Sequence, residues 1–365
     1  MRTPRKCRSR FDPEYAFSMT NTPSPAPLQD VIAALAHDRP LTQDGITAAF
    51  DVVMRGDASP VQISALLTGL RVRGETAEVV AGAASALRRA MVRFEIEDSD
   101  DVVDTCGTGG GSVGTFNIST AAALVAAGAG VRVAKHGNRS FTSKSGSADV
   151  LEALGVNIDV DGDAMHRAFN SAGIVFMFAP RMHPAMRYVG PVRRELGVPT
   201  VMNIIGPLAN PASVGRQVIG VADAARAAVI AQALAALGTV HSLVVHGEPG
   251  MDEISPLGPT RILEVRGNSV TEWSTDPDSL GTGVARASEL IGGTPAENAE
   301  LVRACLDGSA PAGAIAAVLA NAGAAVYVAG KARSLAEGVQ IARTAIADGS
   351  ATAALDKLRA VLPRS

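Results

Sequence analysis

The sequence predicts an α/β protein, with a large domain built on a mostly parallel central sheet flanked by helices and joined to a small all-helical domain. Three observations predict it. From Asp101 onward, short apolar runs alternate with glycine-rich loops and helical stretches of about 10 to 15 residues, the rhythm of βαβ units. Between Leu28 and Phe94, apolar residues recur only at three- and four-residue spacing, the period of helices. Of the 365 residues, 47% are hydrophobic but only 4% aromatic, so the core is built from Ala, Val, Leu and Ile, which suit helices laid on a sheet.

Residues 1–26 open with "MRTPRKCRSR" and read as a disordered basic leader, because no apolar signal-peptide core follows. Residues 27–98 are the helical domain, carried by "LQDVIAALAH", "ITAAFDVVMRG", "SPVQISALLTGLRVRG" and "ETAEVVAGAASALRRAMVRF". Thr42 and Ser59 stand as caps, Pro60 suits a first turn, and Gly56 and Gly74 close segments. Residues 99–365 form the large domain, with strands expected in "DVVDTC", "VRVAKH", "GIVFMFA", "QVIGVA" and "HSLVVHG". "ILEVRGNSVTEW" reads as an antiparallel hairpin turning at Gly267 and Asn268. The stretch 186–212, with four prolines, reads as a hinge or crossing between the domains. From Ser288 the chain is helical again, and "AIAAVLANAGAAVYVAG", with Asn321 inside it, reads as a buried helix and not a membrane span.

A formal net charge of -3 provides no field for nucleic acid or an anionic membrane, so any anion site must be local. Cys7, Cys106 and Cys305 have neither metal-ligand spacing nor an even count for disulfides, which points to a reducing compartment and a cytoplasmic protein.

In parallel sheets, ligands sit beyond the carboxyl ends of the strands, and the polar residues of this chain collect there. "DTCGTGGGSVGTFNIST" has four glycines in five residues and then Asn117, Ser119 and Thr120 at a helix start, a cradle for phosphate. A tight βα turn with a capped helix would need fewer glycines. Gly109, Gly111 and Gly114 satisfy G-x-G-x-x-G, but the next strand ends in Lys135 and His136 where a NAD site needs an acid; NADP stays open. No P-loop motif occurs.

The loop after the second strand offers Lys135, Arg139 and Lys144 with Ser140, Thr142, Ser143, Ser145 and Ser147, enough to wrap a highly anionic ligand. Taken alone it reads equally well as a solvated basic loop. Asp252 and Glu253, adjacent in "HGEPGMDEISPLG", offer hard oxygens suited to Mg²⁺ bridging to phosphates. In "RMHPAMRYVGPVRRELG", either Arg193 or Arg194 could face the ligand edge, and spacing does not choose between them.

Taken in order, "GTGG", "TFNIST", "KHGNRS", "SGSADVLEALG", "HPAMRYVGPVRRELG", "NIIGPLANP" and "MDEIS" resemble the anthranilate phosphoribosyltransferase family over nearly everything from Leu28 onward. The resemblance implies a nucleoside phosphorylase/phosphoribosyltransferase-like fold, transfer of a phosphoribosyl group from phosphoribosyl pyrophosphate (PRPP) to anthranilate, a homodimer, and Mg²⁺, two ions per site. It implies PRPP contacts at Gly107, Gly110, Gly111, Thr115, Asn117, Ile118, Ser119, Thr120, Lys135, His136, Gly137, Asn138, Arg139, Ser140, Phe141, Thr142, Ser143 and Ser147, with the loop from Asn138 to Ser143 acting as a moving clamp. Anthranilate contacts fall at Gly107, Asn138, His136, His183 and Arg193, and metal contacts at Ser119, Asp252 and Glu253. No dedicated acid or base is implied.

The chain departs from the family pattern twice. Gly111 stands where "GTGGD" has its acid, a change expected to alter metal dependence or PRPP affinity; "LGVPTVMN" has Pro199 and Met202 where Arg and Phe are usual, which bears on lobe closure. Three rival readings follow from the residues: a nucleoside phosphorylase, an NADP-dependent oxidoreductase, and a non-catalytic binder of PRPP or another polyanion.

Overall fold

The computed structural model describes residues 26–140 and 144–364. The expected leader therefore falls outside the described residues except for Ala26, as do Phe141, Thr142 and Ser143. Four helices come first: Ala26–Ala36 (α1), Gln43–Arg55 (α2), Pro60–Arg73 (α3) and Ala77–Ala90 (α4). Their ends are set locally. The Thr42 hydroxyl accepts from Gly45 N at 3.1 Å, and Ser59 forms a reciprocal capping box with Gln62. Gly56 ends α2 in the left-handed conformation, φ 83°.

The sheet is formed by Val103–Gly107 (β1), Val133–Gly137 (β2), Ile174–Phe178 (β3), Arg216–Gly220 (β4), His241–Gly247 (β5), Thr260–Arg266 (β6) and Ser269–Thr275 (β7). Their order is β3-β2-β1-β4-β5-β6-β7. The first five strands run parallel, while β6 and β7 run antiparallel as the expected hairpin, with Arg266 opposite Ser269. The chain leaves β1 toward β2 and β3, then returns to place β4 on the other side of β1. The topological switch point therefore lies between β1 and β4, and that is where a parallel sheet opens a crevice at its carboxyl edge.

One face of the sheet is covered by Ile118–Gly128 (α5) and by the helices Ala312–Val328, Leu335–Ala347 and Ser350–Val361, all joined in one apolar core. The other face carries the helix Ala224–Leu237 and, continuous with it, α2–α4, the helix Met186–Leu196 and the segment around Val201–Asn203. The stretch 186–212 is packed into this core: Val201, Met202, Ile204, Ile205 and Leu208 are all buried. Met202 fills core space there, whereas Pro199 is exposed. The helix Ala312–Val328 is buried along most of its length, and no single helix among the described residues is long and apolar enough to cross a membrane.

Candidate active site at the carboxyl edge of the sheet

Gly107 ends β1 and Gly220 ends β4, and they are register partners across the switch point. The acidic turn after β5 lies directly on them. A Cβ at Gly107 would sit 2.5 Å from Asp252 Oδ2, and one at Gly220 would overlap the Asp252 carbonyl. Glycine is required at both positions by this close approach. The turn is then held from three directions. Gly109 N donates to Asp252 Oδ2 at 2.8 Å, Ser119 N donates to Glu253 Oε1 at 3.1 Å, and Ser112 N donates to Gly250 O at 2.9 Å. Below it, Asn321 grips the next residue by both backbone groups: Ile254 N donates to Asn321 Oδ1 at 2.9 Å, and Asn321 Nδ2 donates to Ile254 O at 3.1 Å.

Two adjacent carboxylates in this position repel and are poorly solvated. Burial, and then the charge of Asp252, push Glu253 up to about 8, and burial raises Asp252 as well. The pair is therefore short of positive charge. No group of three or more metal-ligating His, Cys, Asp or Glu side chains occurs among the described residues. Two hard carboxylates beside Ser119 still fit a cation such as Mg²⁺, which retains waters and takes its remaining ligands from a substrate's phosphates.

Strand alternation divides the rest of the site between the two faces of the sheet. Lys135 points to the α5 face, is only 3% exposed, and donates to Thr105 O and, at 3.4 Å, to Ser119 Oγ. The sequence grouped it with the cations of the loop that follows; it is a fixed strand residue, and burial raises both Glu253 and Asp104 while its charge offsets part of that rise. Thr105 Oγ1 donates to Ser119 O at 3.1 Å, tying β1 to the start of α5. The Thr120 hydroxyl is buried there with no hydrogen-bond partner among the described residues. Asn117 precedes α5 but does not cap it; its side chain reaches Ser145 and Asn298. A bland helix cap therefore does not account for Asn117.

His136 points to the opposite face, where its Nε2 lies 3.2 Å from His183 Nε2. Its backbone N–H donates to buried Asp104 at 3.2 Å, and Asn210 Nδ2 donates to both Asp104 and the Ala134 carbonyl. Arg193, in the last turn of Met186–Leu196, is half-buried, loses part of its proton affinity to desolvation, and makes no ion pair or side-chain hydrogen bond among the described residues. Arg194 beside it is exposed. Burial thus separates two arginines that spacing could not.

Several expected contacts are placed differently. The Arg139 guanidinium is engaged by Asp149 at 2.9 Å and Glu152 at 2.7 Å, so it fastens the loop to the helix Ser147–Ala153. Asn138 Oδ1 accepts from Arg139 N, its carbonyl accepts from Ser147 Oγ at 3.3 Å, and Ser140 N donates to Asp149 at 3.2 Å. Gly137 ends β2 beside them. The Ile118 side chain is fully buried in the core and its N–H donates to Phe116 O. Gly110 and Thr115 lie on the glycine loop, Thr115 in an antiparallel bridge with Ile291. A Cβ at Gly111 would stand 3.2 Å from Asp252 Oδ1, so an acid at this position would add a third negative charge to the pair. Asp104, Asn210 and Asn298 were missed by sequence reasoning; for Asp104, as for Asn321, the available signal was a polar residue inside an otherwise apolar strand or helix, whereas Asn210 lies in a loop and Asn298 on a helix rich in charge.

Comparison with known proteins agrees with this architecture. The a/b domain of a glycosyl transferase family matches residues 99–352, and the helical bundle domain of the same family matches residues 29–91. Anthranilate phosphoribosyltransferase of Rubrobacter xylanophilus is 47% identical over 330 residues, covering 90% of this chain and 96% of that protein. The crystal structure of the Thermus thermophilus enzyme aligns with a TM-score of 0.86 at 41% identity, covering 91% of this chain and 99% of that one. The Saccharomyces cerevisiae enzyme in complex with PRPP and Mg aligns at 0.83 with 27% identity, covering 93% and 98%. With a relative this similar along nearly its whole length and the same two-part fold around the switch point, the chain belongs to the anthranilate phosphoribosyltransferase family.

Proposed function

We propose that this chain transfers the 5-phosphoribosyl group of PRPP to the amine of anthranilate, releasing pyrophosphate. The observation that carries the reading is the acidic pair Asp252–Glu253 seated on Gly107 and Gly220 at the switch point, with Ser119 and Lys135 beside it. Relatives bearing this fold were captured with PRPP and Mg and with 4-fluoroanthranilate, which supports the same substrates here.

The reaction breaks the bond from C1 of the ribose to pyrophosphate oxygen and forms one from C1 to the amine nitrogen, which then loses a proton. A neutral aromatic amine is nucleophilic as it stands, so positioning and charge stabilisation carry the rate. Mg²⁺, held by Asp252 and Glu253 with Ser119, would neutralise the leaving pyrophosphate. Glycine-loop amides and the buried Lys135 favour negative charge on the α5 face. On the other face, Arg193 offers its guanidinium to the carboxylate of the acceptor while His136 and His183 wall the cavity.

We also read the protein as a cytoplasmic homodimer that pairs through the helical domain. Val61, Ala65, Thr68 and Val72 form one exposed stripe on α3, with Val61 77% and Val72 83% exposed, and a second copy would cover it. The test of the activity is direct. Protein mixed with PRPP, Mg²⁺ and anthranilate should quench anthranilate fluorescence as product forms, and no loss of signal at ample enzyme would refute the assignment.

A further inference from the structure

We propose that Asn298 is a positioning residue of this site, fixing the Asn117 side chain and thereby holding the glycine loop and the segment at Ser145 at one spacing. Asn298 is 3% exposed on the helix Pro295–Asp307 and, among the described residues, its side chain hydrogen-bonds with Gly293 and Asn117 and not with the acidic pair or Lys135. Its Oδ1 accepts from Gly293 N at 2.7 Å, which turns Nδ2 toward Asn117 Oδ1 at 2.9 Å. Asn117 Oδ1 also accepts from Ser145 Oγ at 3.2 Å, and Asn117 Nδ2 donates to the Ser145 carbonyl at 3.1 Å.

Each amide orientation is therefore dictated by the one before it. Gly293 offers only a donor, so Asn298 must present its oxygen there and its nitrogen to Asn117. Asn117 must then accept from Asn298 and give its own nitrogen to Ser145. Rotating either amide by half a turn would set like groups against each other at both ends. Asn298 and Ser145 are buried and the bonds between them are part-buried, a setting in which such bonds strengthen one another and a broken one is costly.

A second set of contacts brings Asn298 to this place. Phe116 N donates to Leu290 O and Gly292 N donates to Gly114 O, both at 2.9 Å, so the segment leading into the helix is laddered onto the glycine loop. A Cβ at Gly292 would sit 2.5 Å from the Thr115 carbonyl, so the approach depends on glycine. The start of the helix thus moves with the glycine loop, and Asn117 carries that position across to Ser145. All of this lies on the α5 side, away from His136, His183 and Arg193.

The kinetic part of the test rests on the ribosyl-transfer reading; the exchange part does not. In the full-length protein, Asn298→Asp keeps the acceptor for Gly293 but turns an oxygen toward Asn117 Oδ1. It should raise KM for PRPP about tenfold while KM for anthranilate stays within about twofold. Asn298→Ala, without the repulsion, should move KM for PRPP in the same direction by less. In an Asn117→Ala background, Asn298→Asp should add less than about a twofold change, because the partner is gone. Amide hydrogen exchange of the unliganded Asn298→Asp protein should rise in both residues 114–118 and residues 144–148. Unchanged KM values with only a loss of active protein, an undiminished effect in the Asn117→Ala background, or exchange confined to residues 295–307 would each overturn the proposal. If the wild type does not turn over at all, the ribosyl-transfer reading fails and the exchange result alone decides the role of Asn298.

Discussion

His136 and His183, 47 positions apart, meet Nε2 to Nε2 at 3.2 Å, both buried on the face of the sheet opposite Lys135. One nitrogen must donate and the other accept, so the pair is satisfied as two neutral rings and not as two cations. Burial, with the neighbouring ring for His136, lowers His136 to about 3 and His183 to about 4.

The pair sets an acid limit on stability. Unfolded histidines take up protons near pH 6.5, while the folded pair does so only near 3 and 4. The unfolded state therefore binds more protons in this window, and stability present above about pH 6.5 is lost as pH falls toward 4. Calorimetry should show Tm falling over that range, with a shallower fall in the double variant His136→Asn, His183→Asn. An equal slope in both proteins would count against neutral histidines.

Glu253 carries the opposite sign. Its folded pKa is raised to about 8, so the folded state retains a proton that the unfolded state releases near 4.5, and stability is lost as pH rises from 4.5 through 8. In metal-free buffer, Glu253→Gln should melt above wild type at pH 8 and close to it at pH 5, because the amide keeps an oxygen for Ser119 N without the charge beside Asp252. The same variant should lose most of its Mg²⁺-supported turnover. A lower Tm at pH 8 would refute the account.

Arg193 and Arg194 should separate in kinetics as they do in burial. Arg193→Ala should raise KM for anthranilate by about 10- to 100-fold, the range for a lost charge-assisted hydrogen bond, with a smaller change for PRPP. Arg194→Ala, at an exposed position, should leave both within about twofold. Equal effects of Arg193→Ala on the two substrates would count against its place at the acceptor.

Gly220→Ala tests the floor of the site. The added methyl overlaps the Asp252 carbonyl, so the acidic turn must lift from the sheet. Stability should fall by about 1–3 kcal/mol, as for overpacking elsewhere, and half-saturating Mg²⁺ should rise. Retention of wild-type Mg²⁺ dependence would show that the turn does not need this seat.

The helices of the first domain, the alternation of strands and helices in the second, and the glycine and acidic loops are all written in local pattern. Capping at Thr42 and Ser59 and the hairpin turn at Gly267 depend on neighbours within a few residues, which is why they were legible. The pattern also placed Lys135 and His136 at a strand end, but only the sheet order showed that one belongs with Ser119 and Glu253 and the other with His183 and Asp104. Long-range packing set the bond from Gly109 to Asp252, 143 positions away, the bond from Asn298 to Asn117, 181 positions away, and the burial of Arg193 over Arg194. These depend on where β4 inserts beside β1 and on which helix covers which face. Periodicity records a residue's own helix or strand, but carries no information about the element that comes to lie against it.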